Sequence, residues 1–506
     1  MKNRTEYWLA QQMQFPTIFA IVVASVSFLP GLHWSGISPH DNHRLAQVLV
    51  AILGGAAIVH HLVRDKKLSP LFGKGSLRVI VCFFSFGLLS ALFAWSVPHA
   101  MFEWANFALL AALAWLVAKQ ISRARTDLID RVLIICGAGC ALYALSWSIT
   151  YVSWLVVGSQ PDWETLIPGF DNYRFFNHVQ TVTLPLLGLL VLRRKQSTPP
   201  RDPHTLISLV QRYKGEFWWL ILVLWWTLFF VTAGRGTLLG LVAGITMALV
   251  WRRKLAWEWC RVMISTFVIG LIAYPLIYIL LPKLAGAKSF GLLQEVATRT
   301  VTNPTSDRWA LWGRAIQMIV EHPLLGAGPL HFAHYGRDIM NGAHPHNWVL
   351  QIGSEWGLPA LFCIAIALVI ALRALLRTGR AIKPDDAPNQ AILATWLATF
   401  VAIVVDGLVS GLLVMPSSQL WIALYAGCAW GWTASLSVAE RPAPQRTGLI
   451  GRYAAMLGIV ILIFLTARGL WPEIKDLPAH EKQILSEGLE NGSDRLFPRI
   501  WRAGFF

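Results

Sequence analysis

Charged residues are scarce in this sequence. Only 14% of its 506 residues are Asp, Glu, Lys or Arg, whereas about a quarter are charged in an ordinary globular chain. Its six cysteines include no Cys-x-x-Cys pair, which argues against a disulfide framework or a zinc site. Because 55% of the residues are hydrophobic, the composition excludes an ordinary soluble domain and predicts a polytopic membrane protein.

Acidic residues are fewer than basic ones, 27 against 43, and the net charge is +16. Such an excess also occurs in nucleic-acid-binding proteins. Here, however, the Lys and Arg residues are spread through short segments between apolar runs. Basic residues that set the orientation of membrane proteins are distributed in this way. The sequence therefore predicts the lipid bilayer as a partner and no nucleic acid.

Apolar runs near the length of a bilayer crossing, about 20 residues, recur along the chain. Thirteen are read from the sequence, at residues 16–32, 45–62, 77–97, 103–121, 132–155, 179–192, 217–233, 237–251, 262–281, 348–376, 391–413, 420–438 and 453–465. We therefore predict an all-α polytopic membrane protein of about 12–13 transmembrane helices.

Basic segments alternate along the connecting loops. Residues 119–131 and 252–261 are examples, and the loops between such segments hold far fewer Lys and Arg. Because basic loops stay inside, the N-terminus is predicted in the cytoplasm and the C-terminus outside. Residues 1–470 then form a transmembrane domain, and residues 471–506 a short external tail.

One connection is much longer than the others, at about residues 283–346. Connections longer than about 15 residues are usually functional or disordered. Trp309, Trp312 and Ile316 recur at helical spacing, which predicts an amphipathic helix capped by Ser306 or Asp307. We expect this helix to lie across the mouth of an external cavity.

A His-Pro-His-Asn sequence ends this connection. A neutral imidazole, with an unperturbed pKa of about 6.5, is suited to taking a proton from a hydroxyl. Pro345 disfavours helix in the residue before it, so we predict His344 in the loop, and His346 and Asn347 opening a helix to about Leu376. His346 and His344 are the predicted catalytic residues, and Asn347 a substrate contact. The alternative is a set of polar caps at the membrane edge.

A metal site is a second alternative at these histidines. His331 and His334 precede His344 and His346 closely in the sequence. No nearby Cys or His-Glu-x-x-His pattern supports zinc. The sequence predicts neither a metal nor a cofactor.

Arginines occur in three separate external segments. They are Arg174, Arg235, Arg308 and Arg314. A guanidinium fork suits bidentate binding of phosphate oxygens, and Arg235 stands out because glycines flank it at the end of a span. We predict that these arginines bind an anionic substrate. The alternative is ordinary snorkelling to lipid head groups.

Two acidic residues lie inside spans near the outer side, Glu355 and Asp406. Ionisable groups within the membrane are costly and usually functional. We predict both at the substrate site, where either could orient a histidine or pair with an arginine. The alternative is a buried ion pair of structural value only.

Several motifs resemble the O-antigen ligase and polymerase superfamily, which includes bacterial protein O-oligosaccharyltransferases. They are residues 323–328 (Pro-Leu-Leu-Gly-Ala-Gly), 344–347 (His-Pro-His-Asn) and 355–358 (Glu-Trp-Gly-Leu), preceded by residues 174–180 and 234–236. Residues 1–150 match only as spans. The resemblance implies transfer of a glycan from undecaprenyl diphosphate to an acceptor hydroxyl, at the periplasmic face of the bacterial inner membrane.

The resemblance also implies roles for the residues chosen above. His346 or His344 would act on the acceptor hydroxyl, and Arg174, Arg235 and Arg308 would hold the diphosphate. The long loop and the tail would both be periplasmic. Neither a nucleotide sugar nor an essential metal is implied.

His178 and Gln180 match a polar position of the oligosaccharyltransferase branch, which implies contact with the acceptor or the first sugar. The acceptor stays open between lipid A-core, a glycan repeat unit and a protein. A transporter or flippase of lipid-linked glycans is the alternative function, although such proteins usually show internal repeats and mid-membrane charges.

Overall fold

The computed structural model describes residues 14–64, 67–68, 73–124, 126–158, 167–195, 214–303, 308–340, 342–436, 445–446, 448–471, 473–487 and 496–506. Helices dominate these residues. The strand pairing found there is a two-residue antiparallel match of Lys67–Leu68 with Gln445–Arg446. The predicted all-α class is confirmed.

The described residues form a series of helices along the chain. They are α1 Phe15–Phe28, α2 Pro39–Arg64, α3 Lys74–Leu92, α4 Val97–Ala124, α5 Thr126–Val157, α6 Tyr173–Lys195, α7 Lys214–Thr232, α8 Arg235–Pro275, α9 Leu293–Thr302, α10 Trp309–Glu321, α11 Phe332–Tyr335, α12 Trp348–Trp356, α13 Leu358–Ala381, α14 Ala387–Asp406, α15 Pro416–Leu436, α16 Leu449–Gly469 and α17 Leu477–Ser486. Single-turn or π segments lie at Pro30–Leu32, Leu276–Leu280, Leu281–Leu284 and Glu473–Lys475.

Ten helical segments of the described chain are long and apolar enough to cross a membrane. Two shorter apolar helices, Phe15–Phe28 and Arg235–Trp251, match predicted spans as well. Helix α15 is less apolar, but it carries no Asp, Glu, Lys or Arg and is mostly buried. The chain is thus a multi-pass membrane protein, and each predicted apolar run contains a helix.

One predicted span, residues 348–376, is not a single helix. Gly357 has φ of 85° and separates α12 from α13. Such a φ is in the left-handed region, which glycine adopts at low cost. The prediction of one continuous helix was wrong because a glycine can end a helix within an apolar run.

Helix α8 reverses direction although its helical residues run without a break. The Leu292 N–H donates to the Val231 carbonyl (2.9 Å), and the Phe290 N–H donates to the Tyr278 carbonyl (2.8 Å). A straight helix would carry Tyr278 about 65 Å away from Arg235. These bonds instead bring both ends to one side, so α8 and the two short segments after it form two antiparallel arms, Arg235–Trp251 and Ala256–Leu284.

A row of glycines packs the first arm of α8 against α14. Gly240 and Gly244 face the Ala402 and Ala398 carbonyls so closely that any Cβ would overlap them. Small residues four apart let two helices approach closely in a membrane. Gly236 continues the row and faces Asp406. The start of α8 is therefore fixed beside the end of α14.

The C-terminal tail lies on the same side of the bundle as the long loop. Nε2 of His99 lies 2.9 Å from Oε1 of Glu473, and Nδ1 of His334 lies 3.0 Å from the Phe506 carbonyl. On the opposite side, Arg452 donates to the Leu62 carbonyl. The long loop and the tail therefore share one end of the bundle, and the side of the membrane on which this end lies stays a prediction.

Candidate functional site

The histidine motif lies in a turn before α12. Helix α12 begins at Trp348, and Asn347 is its N-cap, with Oδ1 accepting from the Val349 and Leu350 N–H groups. His346 has φ of 52°. The prediction that these residues open the helix is confirmed for Asn347, whose side chain caps its first free N–H groups. It was wrong for His346, whose left-handed backbone lies before the helix.

The two histidine rings lie against each other. Their centroids are 3.9 Å apart, and the His346 N–H donates to Nδ1 of His344 at 3.3 Å. His344 is buried, and Gly411 supports its other side, since a Cβ there would lie 2.5 Å from Cε1 of His344. A left-handed backbone and a tight contact together hold the pair in one geometry.

Both histidines are poised in the neutral form. Burial lowers the pKa of His344 and of His346 well below 6.5, and the positive charge of Arg308 adds to the effect in each case. Arg174 lowers the pKa of His346 further. A neutral imidazole is the form that accepts a proton.

Three of the predicted arginines lie together, and two of them, Arg174 and Arg308, act on the histidine rings. Burial, Arg174 and Arg235 together lower the pKa of Arg308 to about 10. Arg308 is followed directly by α10, Arg174 lies in the first turn of α6, and Arg235 begins α8. Like charges brought together in a partly buried place are costly unless an anion joins them. The cluster is therefore suited to binding a polyanion.

The start of α8 is held against α6. Gly234 precedes Arg235, and a Cβ on this glycine would lie 2.6 Å from Cγ of Asn177. Nη1 of Arg235 lies 3.4 Å from Oγ1 of Thr300 in α9. Arg235 is thus placed between the helix bundle and the long loop.

Asp406 is a buried carboxylate beside this cluster. Its Oδ2 accepts from Oγ1 of Thr181 (2.6 Å) and of Thr237 (3.3 Å). Its Oδ1 is buried without a hydrogen-bond partner among the described residues and faces Gly236. The negative charge of Asp406 acts on Arg308, so this carboxylate balances part of the positive charge.

Arg314 is directed away from the other three arginines. Its Nη2 lies 2.7 Å from Oδ2 of Asp338, and Nη1 donates to the Tyr335 carbonyl. The structure therefore uses Arg314 within the long loop. Sequence position alone did not separate it from Arg308.

His178 and Gln180 have different surroundings, although both are buried. Gln180 accepts from Nδ2 of Asn177 (3.0 Å) and donates to the Trp225 carbonyl (3.0 Å), which places it between helices. His178 acts electrostatically on His344 and His346 and so lies toward the cluster. Nδ1 of His178 is buried without a partner among the described residues.

Glu355 forms an ion pair that the sequence did not reveal. Its Oε2 lies 2.9 Å from Nη2 of Arg499, a tail residue, and the two side chains are 0% and 1% exposed. The same Nη2 lies 3.2 Å from Oε1 of Glu103. The sequence left open whether Glu355 orients a histidine or pairs with an arginine, and it assigned Arg499 no role. The sequence signal for Arg499 is a charge between the apolar tail residues Pro498 and Ile500.

His331 and His334 hold the long loop in place. Nε2 of His331 accepts from the Ser96 N–H (2.8 Å), and its Nδ1 lies 2.9 Å from the Pro329 carbonyl. The His334 ring stacks on Trp95 with centroids 4.1 Å apart. Among the described residues, no group of three or more His, Cys, Asp or Glu is arranged to hold a metal ion.

Two comparisons with known proteins agree with this architecture. Residues 220–365 match a family model described as O-antigen ligase. The chain is also 25% identical over 430 residues to an O-antigen ligase of Pseudomonas aeruginosa, an alignment that covers 84% of this chain and 92% of that protein. The matched family region contains Arg235, Arg308, His344, His346 and Glu355. By both comparisons the chain is similar to O-antigen ligases, the superfamily that its motifs also resemble.

Proposed function

We propose that this protein transfers a glycan from undecaprenyl diphosphate to an acceptor hydroxyl at the periplasmic face of the inner membrane. The observation that carries the proposal is the grouping of Arg174 and Arg308 beside the paired rings of His344 and His346, with Arg235 next to Arg308. An anion-binding cluster next to a neutral base is what displacement of a diphosphate by a hydroxyl requires.

In the proposed reaction, His346 removes the proton of the acceptor hydroxyl while its oxygen attacks the anomeric carbon of the glycan. The bond from this carbon to the diphosphate oxygen breaks, and the electron pair leaves with the diphosphate. The three arginines stabilise the negative charge that develops on the leaving group. The proton then leaves His346 to solvent or to the diphosphate.

The transporter alternative is less well supported. The grouped arginines and histidines lie at one end of the bundle, at the starts of α6, α8, α10 and α12. Transport sites are typically near mid-membrane. A site at one end of the bundle suits two substrates that meet at the membrane surface.

The test uses purified protein in nanodiscs with an undecaprenyl diphosphate-linked glycan. Three acceptors are supplied separately, namely lipid A-core, a second lipid-linked repeat and a pilin-like protein. Glycan on one acceptor, with release of undecaprenyl diphosphate, is the expected result and identifies the branch. Movement of intact donor across the bilayer without glycan transfer to any acceptor would support the transporter instead.

A further inference from the structure

The last residues of the chain return into the outer end of the bundle. In this tail segment, defined as residues 496–506, Ile500, Trp501, Ala503 and Phe505 are at most 2% exposed, and Arg499 is 1% exposed. Chain ends are usually poorly ordered unless they are tied down. The tail segment is thus packed like core, and it lies outside the residues 220–365 that match the family.

Arg499 joins the tail segment to two helices, α4 and α12. Its Nη2 contacts Glu103 of α4 at 3.2 Å and Glu355 of α12 at 2.9 Å, and all three side chains are at most 2% exposed. A charge at this depth is costly unless it is paired with good geometry. One guanidinium therefore couples α4, α12 and the tail segment.

Arg44 fixes the backbone of the tail segment at the same place. Its Nε donates to the Ile500 carbonyl (3.0 Å), and its Nη2 donates to the Arg499 carbonyl (2.7 Å) and to the Val414 carbonyl (3.1 Å). Val414 lies three residues after Gly411, which supports the ring of His344. The tail segment is thus connected to the wall behind that histidine.

Glu355 links α12, which follows the histidines, to the part of the long loop that precedes them. Its Oε1 accepts from the Phe332 N–H (3.1 Å), and its backbone carbonyl accepts from the Gly328 N–H (3.0 Å). Helix α12 starts directly after Asn347. A displacement of Glu355 would shift this short helix and the turn that it follows.

We propose that the tail segment is a working part of the site and that Arg499 positions residues 342–356, which include His344 and His346, through its ion pair with Glu355. This inference rests on the proposed transfer reaction. Arg499 touches neither histidine in this role. It fixes the element from which they project, and positional errors of about 1 Å are enough to lower turnover about 10²-fold.

The experiment compares full-length protein in nanodiscs with Arg499→Met, Arg499→Lys and the control Arg502→Met. Arg502 belongs to the same segment, but its side chain is 41% exposed and lies 3.5 Å from Glu481. Hydrogen exchange is measured for residues 342–356, with α16 as the internal reference. Transfer assays then give kcat and the KM for the lipid-linked donor.

For Arg499→Met we expect faster exchange in residues 342–356 and an approximately 10²-fold lower kcat at unchanged donor KM. Arg499→Lys should recover part of the exchange protection and part of kcat. Arg502→Met should behave as wild type. Wild-type exchange and kcat in folded Arg499→Met would overturn the inference. If Arg499→Met does not fold, Arg499→Gln takes its place, because it keeps a polar side chain but loses the charge that pairs with Glu355. Wild-type exchange and kcat in Arg499→Gln would overturn the inference.

The exchange measurement does not depend on glycan transfer. If wild-type protein shows no transfer while exchange responds to Arg499→Met, the proposed function fails and the positioning role stands. If wild type transfers glycan and exchange does not respond, the positioning role fails alone.

Discussion

The backbone N–H of His346 donates to Nδ1 of His344 at 3.3 Å. In a neutral imidazole one nitrogen carries the proton and the other accepts, so Nε2 of His344 must carry it. The ring of His346 makes no hydrogen bond to another described residue, and its acceptor nitrogen is open to a substrate. This relationship favours His346 as the base and His344 as its support and as an N–H donor.

The first prediction concerns these two roles. His346→Ala should lower kcat about 10²–10⁴-fold, the usual contribution of a general base, while donor binding persists because the arginines remain. His344→Ala should lower kcat as well, through loss of the contact to the His346 backbone. The control is His322→Ala, an exposed histidine at the end of α10. Wild-type transfer by both site variants would remove the histidines from the reaction.

A second prediction uses the glycine behind His344. A Cβ at position 411 would lie 2.5 Å from Cε1 of His344, so Gly411→Ala must displace the ring. We expect an approximately 10²-fold lower kcat, measured in the nanodisc transfer assay. Gly313→Ala in α10 is the matched control, since a Cβ there meets nothing within 4 Å. Equal kcat for the two variants would show that the His344 position does not matter.

The arginines give a third prediction. Arg235→Lys keeps the charge but loses the planar fork, so transfer should fall substantially, and Arg235→Ala should weaken donor binding further. Arg314→Gln should leave donor binding near wild type, because Arg314 is paired with Asp338. Donor affinity is measured by titration of the lipid-linked glycan into nanodiscs. Wild-type affinity and turnover in Arg235→Ala would exclude Arg235 from the donor site.

The pH dependence of transfer is a fourth prediction. Burial together with His344, Arg308, Arg174 and His178 lowers the pKa of His346 well below 6.5. The protonated, inactive form therefore accumulates only at pH values lower than 6.5. The acid limb of kcat/KM should lie below pH 6.5, and Arg308→Gln should move it to higher pH. An acid limb above pH 6.5 in wild type would contradict this assignment.

The fifth prediction concerns the side of the membrane. In protein without native cysteines, Lys288→Cys, in the long loop, should react with a membrane-impermeant maleimide added from the periplasm. Lys383→Cys, between α13 and α14, should react only after the membrane is opened. Both side chains are exposed. The reverse pattern would place the site in the cytoplasm and refute the proposed donor orientation.

The sequence alone was sufficient for the all-α multi-pass class and for the positions of the apolar runs, each of which contains a helix, whereas the side of the membrane stays a prediction. All three depend on local quantities, the length of an apolar run and the charge of the loop after it. It also identified the histidine pair, because ionisable residues stand out among apolar ones. The Ser306 or Asp307 cap predicted before α10 lies outside the described residues.

The grouping of side chains was decided only by the tertiary structure. Arg308 and Arg314 lie six residues apart, yet one joins Arg174 and Arg235 while the other pairs with Asp338. Helical phase and packing determine this choice, and neither is visible in the spacing of charges. Likewise, Glu355 meets Arg499 across 144 residues. Such a contact depends on where the tail folds, which hydrophobic length and loop charge do not specify.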